Sequence, residues 1–265
     1  MGNVFIVLTP LIHGIVKLAG LTPQTIEIEP GTLMNIWVPK EIVTKYDGKI
    51  VYVPPTKPAV LLLHSFAMDG IFTWLLQVLA LTREYSVYVP DFLFFGGSIT
   101  DRNERSASFQ AEFVAKGLKK LRVENVTLVG LSYGGMVGFK IAQLYPNLVK
   151  SMVMSATVTE LTESISLDSY DLTMFSNRKE RNELLDCLVV PDTDVTSDPD
   201  YSQAIHMLWG DDDKIFDLDL ANTTKIRLGE KATLDWIKDV GHLVSLEKPF
   251  TYNKRLKSII ECVNQ

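Results

Sequence analysis

The pentapeptide Gly130-Leu131-Ser132-Tyr133-Gly134 sets a serine between glycines, after the apolar run Val126 to Val129 and before the helical-period stretch GMVGFKIAQLYP. Glycines two before and two after the serine remove side chains that would clash in a tight strand-to-helix turn. Such a turn pushes the hydroxyl out over the carboxyl edge of a sheet. Placed there, Ser132 is a candidate nucleophile, and a serine hydroxyl needs a base beside it.

Four histidines can supply that base. His13 lies in the N-terminal segment, His64 ends an early strand, and His206 sits within the apolar run AIHMLW, where an imidazole satisfied in the core is the default. His242, in DVGHLVSLEKP, follows the last strand, where a loop brings it above the carboxyl edge. A carboxylate must then fix its tautomer and stabilise the imidazolium, and the chain order serine, acid, histidine places that acid between Ser132 and His242. The stretch AIHMLWGDDDKIF offers three aspartates after a strand and a glycine turn; the pattern G-x-x-D selects Asp213, with Asp212 as runner-up.

Charge developing on an acyl oxygen calls for two backbone N–H donors, worth on the order of 3 kcal/mol each. Tyr133, next to the serine, supplies one. Phe66, two residues beyond His64 in AVLLLHSFAMDG, supplies the second.

The elements that must position these groups follow from periodicity. Short apolar runs of strand type occur at 25–28, 33–38, 59–63, 85–89, 126–130, 149–154, 204–209 and 232–238. Helical patterns occupy 71–83, 107–121, 133–145, 217–228 and 248–262. This alternation predicts an α/β fold with a mostly parallel sheet of eight strands flanked by helices. The first two strands precede any helix between strands and are expected to form an antiparallel hairpin at one edge. Residues 158–202 read as an inserted, shortened helical cap after the sixth strand, with helices near 160–174 and 177–188, Asn177 as an N-cap, and a polar loop at 191–200. The core is then 1–157 together with 203–265.

Composition narrows the function classes. The 265-residue chain has a net charge of −6 and its longest like-charge run is Asp211 to Asp213, so it offers no basic stripe for nucleic acid. No metal-ligand spacing, G-x-G-x-x-G after a strand, or P-loop occurs, so no cofactor is expected. Two cysteines, Cys187 and Cys262, without a disulfide framework, suit a reducing or an indifferent compartment, and the expected location is cytoplasmic. The apolar segment 1–20 lacks the basic start of a signal peptide, and Thr9, Pro10, His13, Gly14 and Lys17 interrupt it before membrane-spanning length. Ile6 stands where a myristoylation signal wants serine or threonine. Two readings of this segment stay open: a helix packed on its own domain, or one making peripheral contact with a membrane interface.

In combination, LLLHSFAMDGIFTW, VYVPDFLFFGGS, FQAEFVAKGLKKL, LVGLSYGGMV, NRKERNELL, LWGDDDKIF and GHLVSLEKP resemble, from about residue 20 to 260, the α/β-hydrolase superfamily and more closely its plant monoacylglycerol-lipase-like serine esterases. The resemblance implies an α/β-hydrolase fold, carboxylester hydrolysis, the triad Ser132, Asp213 and His242, and oxyanion donors Phe66 and Tyr133. Three departures stand out. Ser65 replaces the usual glycine after the histidine, Gly97 replaces a usual aspartate and predicts a looser loop, and the cap is short.

The implied substrate is a small apolar ester. Ser65, Phe95, Met136 and Phe175 are the candidate pocket residues, and the small cap predicts an open pocket, a bulkier substrate, or a homodimer in which a second chain completes the cavity. A serine at 132 argues against epoxide hydrolases and dehalogenases, which need an aspartate nucleophile. The competing readings are a small-molecule receptor that retains the triad, and a non-hydrolytic enzyme of specialised metabolism in which His242 acts as a base on the substrate.

Overall fold

The structure is a computed structural model that describes residues 4–165, 177–191 and 200–264. In chain order its elements are α1 (Val4–Leu18), β1 (Leu21–Glu29), β2 (Thr32–Pro39), β3 (Val43–Tyr46), β4 (Lys49–Tyr52), β5 (Ala59–Leu63), α2 (Gly70–Leu81), β6 (Ser86–Pro90), β7 (Ile99–Thr100), α3 (Ala107–Lys120), β8 (Val126–Leu131), α4 (Tyr133–Leu144) and β9 (Val149–Ser155). The chain continues through β10 (Leu161–Thr162), α5 (Arg178–Leu188), β11 (Val189–Val190), β12 (Ala204–Gly210), α6 (Leu218–Leu228), β13 (Ala232–Ile237), α7 (Val244–Glu247) and α8 (Pro249–Asn264).

Eight strands lie side by side in the order β1-β2-β6-β5-β8-β9-β12-β13, with the two-residue β7 beside β2. The six from β6 to β13 are parallel, while β1 and β2 form the expected antiparallel hairpin at one edge. Strands β5 and β8 are buried at every position, which is why they read as unbroken apolar runs. Alternate residues of these strands feed two cores. Leu61, Leu63 and Leu128 join Phe113 of α3 and Val137 of α4 on one face. Val60, Leu62, Val129 and Leu131 join Trp74 of α2 and Leu256 of α8 on the other.

Helix starts follow local chemistry. Asp69, Ser106 and Asp217 each accept the N–H three residues ahead, capping α2, α3 and α6. Helix α1 packs on the domain through the fully buried Val16 and the neighbouring Ile12, and the His13 ring meets Trp37 edge-on at 4.9 Å. Its other face leaves Leu11 60% and Leu18 90% exposed. Among the described residues no helix is long and apolar enough to cross a membrane.

Two expectations need correction. Residues 161–165, expected to be helical, form the short strand β10 and one 3-10 turn, because Leu161 and Thr162 pair in parallel with Val189 and Val190. The rest of that expected helix, and residues 192–199 of the polar loop, lie outside the described residues. The hairpin β3–β4 has no counterpart in the strand reading above. Its signal is the dipeptide Asp47-Gly48, whose φ values of 49° and 73° are those a type I′ turn requires.

Candidate active site

Strand β8 runs into Ser132, which turns the chain into α4 with φ 54° and ψ −120°, a conformation that costs a non-glycine residue energy. The turn is fixed on both sides. The Ser132 N–H donates to the Ser155 carbonyl at 2.9 Å, and the Thr157 hydroxyl donates to the Ser132 carbonyl at 2.8 Å. The flanking glycines are required by contact: a Cβ at Gly130 would lie 2.6 Å from the Gly135 Cα, and one at Gly134 would lie 2.2 Å from the Leu63 carbonyl oxygen.

Over this turn sits His242, its Nε2 2.9 Å from Ser132 Oγ and its Nδ1 2.9 Å from Asp213 Oδ2. A carboxylate only accepts, so Nδ1 carries the proton toward Asp213 and Nε2 accepts from the serine hydroxyl. The other carboxylate oxygen, Oδ1, accepts from the N–H groups of Ile215 at 2.8 Å and Phe216 at 2.9 Å. Asp213 is therefore held at both oxygens, and its side chain has no exposed surface. Asp212, by contrast, points to solvent with its side chain 63% exposed and pairs with Lys214.

Contact also explains how the acid and histidine loops meet. Gly210 ends β12 where a Cβ would fall 2.3 Å from the Val240 carbonyl oxygen, and the Asp212 N–H donates to that same oxygen at 2.9 Å.

The other histidines are committed elsewhere. His64 is fully buried, accepts from the Phe92 N–H at 3.0 Å and donates to the Ser65 carbonyl at 2.8 Å; desolvation holds its pKa down at about 3, so it stays neutral. His206 is half-buried beside the Thr233 hydroxyl at 3.1 Å.

Tyr133 opens α4, so its N–H is among the donors of a first helical turn that lack an intrahelical acceptor. The Phe66 ring packs edge-on to Tyr133 at 5.3 Å and to Phe95 at 5.2 Å. The two candidate oxyanion residues thus lie together beside Ser132.

Of the candidate pocket residues, Phe95 is fully buried in this aromatic cluster, stacked on Tyr133 at 6.0 Å. Met136, whose N–H donates to the Ser132 carbonyl, lines a cavity of about 180 Å³ of mixed character, with Leu161 and Leu188 beside Lys140 and Glu160, and no triad residue is among its lining. Ser65 is buried beside this site, and its hydroxyl has no hydrogen-bond partner among the described residues. Phe175 lies outside the described residues.

The loop after β6 is not left unbraced by Gly97, contrary to expectation. Asp91 ties it down: Oδ2 accepts from Asn35 Nδ2 at 2.6 Å and from the Gly97 N–H at 3.3 Å, and its carbonyl accepts from the Ser98 hydroxyl at 2.7 Å. Desolvation first, and the nearby Asp69 carboxylate second, push the Asp91 pKa up to about 6.

The cap docks on the same loop. Asn177 heads α5, yet its side chain makes no capping bond and instead donates to the Phe94 carbonyl at 3.0 Å. Arg181 Nε donates to that carbonyl at 3.3 Å, and its guanidinium lies 4.1 Å over the Phe95 ring. Burial lowers the Arg181 pKa to about 10, with Asp69 opposing the shift.

Several of these supports had no role in the sequence reading. Arg181 falls within the quoted NRKERNELL, but a partner 87 positions away leaves no local signal. Asn35 and Thr157 left none either. Among the described residues no three His, Cys, Asp or Glu side chains group as metal ligands would.

Residues 58–197 match the alpha/beta hydrolase fold family. A putative lipase from Acinetobacter baumannii superposes with a TM-score of 0.76 at 19% identity, covering 97% of each chain. A membrane phospholipase A described as a bacterial virulence factor gives a TM-score of 0.72 at 17% identity over 99% of this chain and 92% of that one. An esterase from Thermogutta terrifontis gives 0.67 at 18% identity, over 92% and 99%. At such identities the likeness is one of fold. An uncharacterized protein of Mycobacterium tuberculosis is 34% identical over 97 residues, which span 37% of this chain but only 28% of that protein. These relatives are bacterial, so the narrower likeness to plant monoacylglycerol-lipase-like esterases gains no support from them.

Proposed function

Because the chain belongs to the α/β-hydrolase fold family, we propose that it is a serine hydrolase that cleaves carboxylic esters, of the monoacylglycerol-lipase type, with a small apolar ester as substrate. One observation carries the reading: the continuous hydrogen-bonded line from Ser132 Oγ through His242 to Asp213, at 2.9 Å and 2.9 Å. The names lipase, phospholipase A and esterase borne by the structural relatives support ester chemistry.

In this reading His242 Nε2 takes the Ser132 proton as Oγ attacks the ester carbonyl. Asp213, fixed by the Ile215 and Phe216 N–H groups, holds the imidazole in its tautomer and stabilises the imidazolium without itself being protonated. The oxyanion forms against the N–H groups of Tyr133 and Phe66. The imidazolium then protonates the leaving alcohol, leaving an acyl group on Ser132. A water deprotonated by His242 releases the acid and restores the hydroxyl.

The test is labelling with a fluorophosphonate probe, comparing the unaltered protein with Ser132→Ala, followed by turnover of p-nitrophenyl esters of short and medium chain. Labelling lost in the variant together with steady turnover supports the hydrolase. Labelling with a burst and no turnover would favour the receptor reading, and no labelling at all would refute the nucleophile assignment.

A further inference from the structure

The Glu247 carboxylate reaches back over one turn of chain and takes hold of the N–H groups of the two residues that flank His242. Its Oε2 accepts from the Gly241 N–H at 2.8 Å and its Oε1 from the Leu243 N–H at 3.1 Å. We infer that Glu247 is a positioning residue for His242, a carboxylate bracket that sets the direction in which the imidazole leaves the backbone. The inference rests on His242 being the general base.

Helix α7 is one turn long, and it exists in a form that returns Glu247 to its own start: the Glu247 N–H donates to the Leu243 carbonyl at 3.0 Å. The two bonds hold the Val240–Gly241 and His242–Leu243 peptide planes, so the chain is pinned one peptide before His242 and immediately after it, which narrows the directions its Cα–Cβ bond can take. A carboxylate suits the task because each of its two oxygens can accept one N–H, and charge-assisted bonds are stronger than neutral ones. Gly241 leaves room for it, since a Cβ there would stand 3.1 Å from Oε1.

The bracket works against two fixed points. On the acid side, Val240 is tied to Asp212 by the bond from the Asp212 N–H at 2.9 Å. On the far side, the buried Gln77 of α2 donates to the Ser245 carbonyl at 3.0 Å and so anchors α7 to the domain. Between these anchors, Gly241 to Leu243 are held by Glu247. Glu247 is itself exposed, and both of its carboxylate bonds here are to main-chain N–H groups, so this hold on His242 is exerted through the backbone.

The variants are Glu247→Ala, Glu247→Asp, whose shorter stem cannot span both amides, and Glu247→Gln, which keeps one acceptor oxygen. Each is read by the rate constant of fluorophosphonate labelling and by kcat and KM on a p-nitrophenyl ester. Expected is a loss of labelling rate and kcat on the order of 10- to 100-fold in Glu247→Ala and Glu247→Asp, since misplacement of a catalytic group by about 1 Å costs about that much. KM should be unchanged, and Glu247→Gln should fall between. Labelling of Glu247→Ala at the wild-type rate overturns the inference. If Glu247→Ala does not fold, Glu247→Gln carries the test in the same terms. If the unaltered protein is not labelled, the serine-hydrolase reading has failed by itself; the bracket is then judged by the imidazole ring resonances of His242, which must move in Glu247→Ala and whose coincidence with wild type overturns the positioning role.

Discussion

A Cβ on Gly134 would stand 2.2 Å from the carbonyl oxygen of Leu63, so the serine turn and the end of β5 approach as closely as a bare α-carbon permits. The residues on either side of this contact are the ones that carry the candidate oxyanion donors.

Gly134→Ala should therefore separate the two loops, because the obstacle is main chain and cannot swing aside. The expected outcome is a folded protein with fluorophosphonate labelling down by at least about 100-fold, comparable to the loss of an oxyanion donor. Gly14→Ala, where nothing lies within 4 Å of the added methyl, is the control and should label at the normal rate.

Asp213→Asn should lower ester turnover by on the order of 10⁴-fold, since the amide no longer enforces the Nδ1–H tautomer of His242. Asp212→Asn, with a side chain 63% exposed, should leave turnover unchanged. Steady-state kinetics on both variants check the assignment; a large loss in Asp212→Asn would transfer the acid role to its neighbour.

Arg181→Ala removes a donor to the Phe94 carbonyl and a guanidinium stacked over Phe95. Loss of a buried hydrogen bond of this kind costs about 1–3 kcal/mol, and here it should appear as undocking of the cap. Faster proteolysis within 158–202 and a raised KM are expected. Arg181→Lys should not restore either, because an ammonium lacks the planar face and the fork of donors.

Asp91 titrates near 6 in the folded protein, above the ordinary carboxyl value of 3.8. Between those values the folded state binds more protons than the unfolded one, so stability falls as pH rises through that window. In Asp91→Asn this contribution is gone, and the slope of stability against pH between pH 4 and pH 6 should be more positive than in wild type. An unchanged slope would contradict the raised pKa.

The Ser65 hydroxyl is buried beside the oxyanion loop with no hydrogen-bond partner among the described residues. Ser65→Ala should be neutral or stabilising by about 1 kcal/mol in thermal unfolding, with labelling retained, because the proposed donors are main chain.

The parts legible in the sequence are those whose physics is local. Gly130 and Gly134 announce the turn because no other residue fits there, and β5 and β8 announce a buried parallel sheet because water reaches neither face. Asp213 was separable from Asp212 by its spacing from Gly210, and the structure places the two on opposite sides of the loop, one on His242 and one in solvent. Asp91 bracing the loop beside Gly97 was not legible, because it depends on Asn35, 56 positions away. The same holds for the docking of Arg181 on Phe94. The β3–β4 hairpin differs: Asp47-Gly48 carried its signal in full view.

Strands β9 and β12 are hydrogen-bonded neighbours, with Ala204 opposite Ser151, so everything between them in the chain is a single crossover. The register of the sheet does not depend on how long or what shape that crossover is, since both of its ends are already pinned. Evolution, or a protein engineer, can therefore exchange the part of this segment beyond Thr157, whose hydroxyl holds the Ser132 carbonyl, and change what enters the site while leaving untouched the edge on which Ser132, Asp213 and His242 meet.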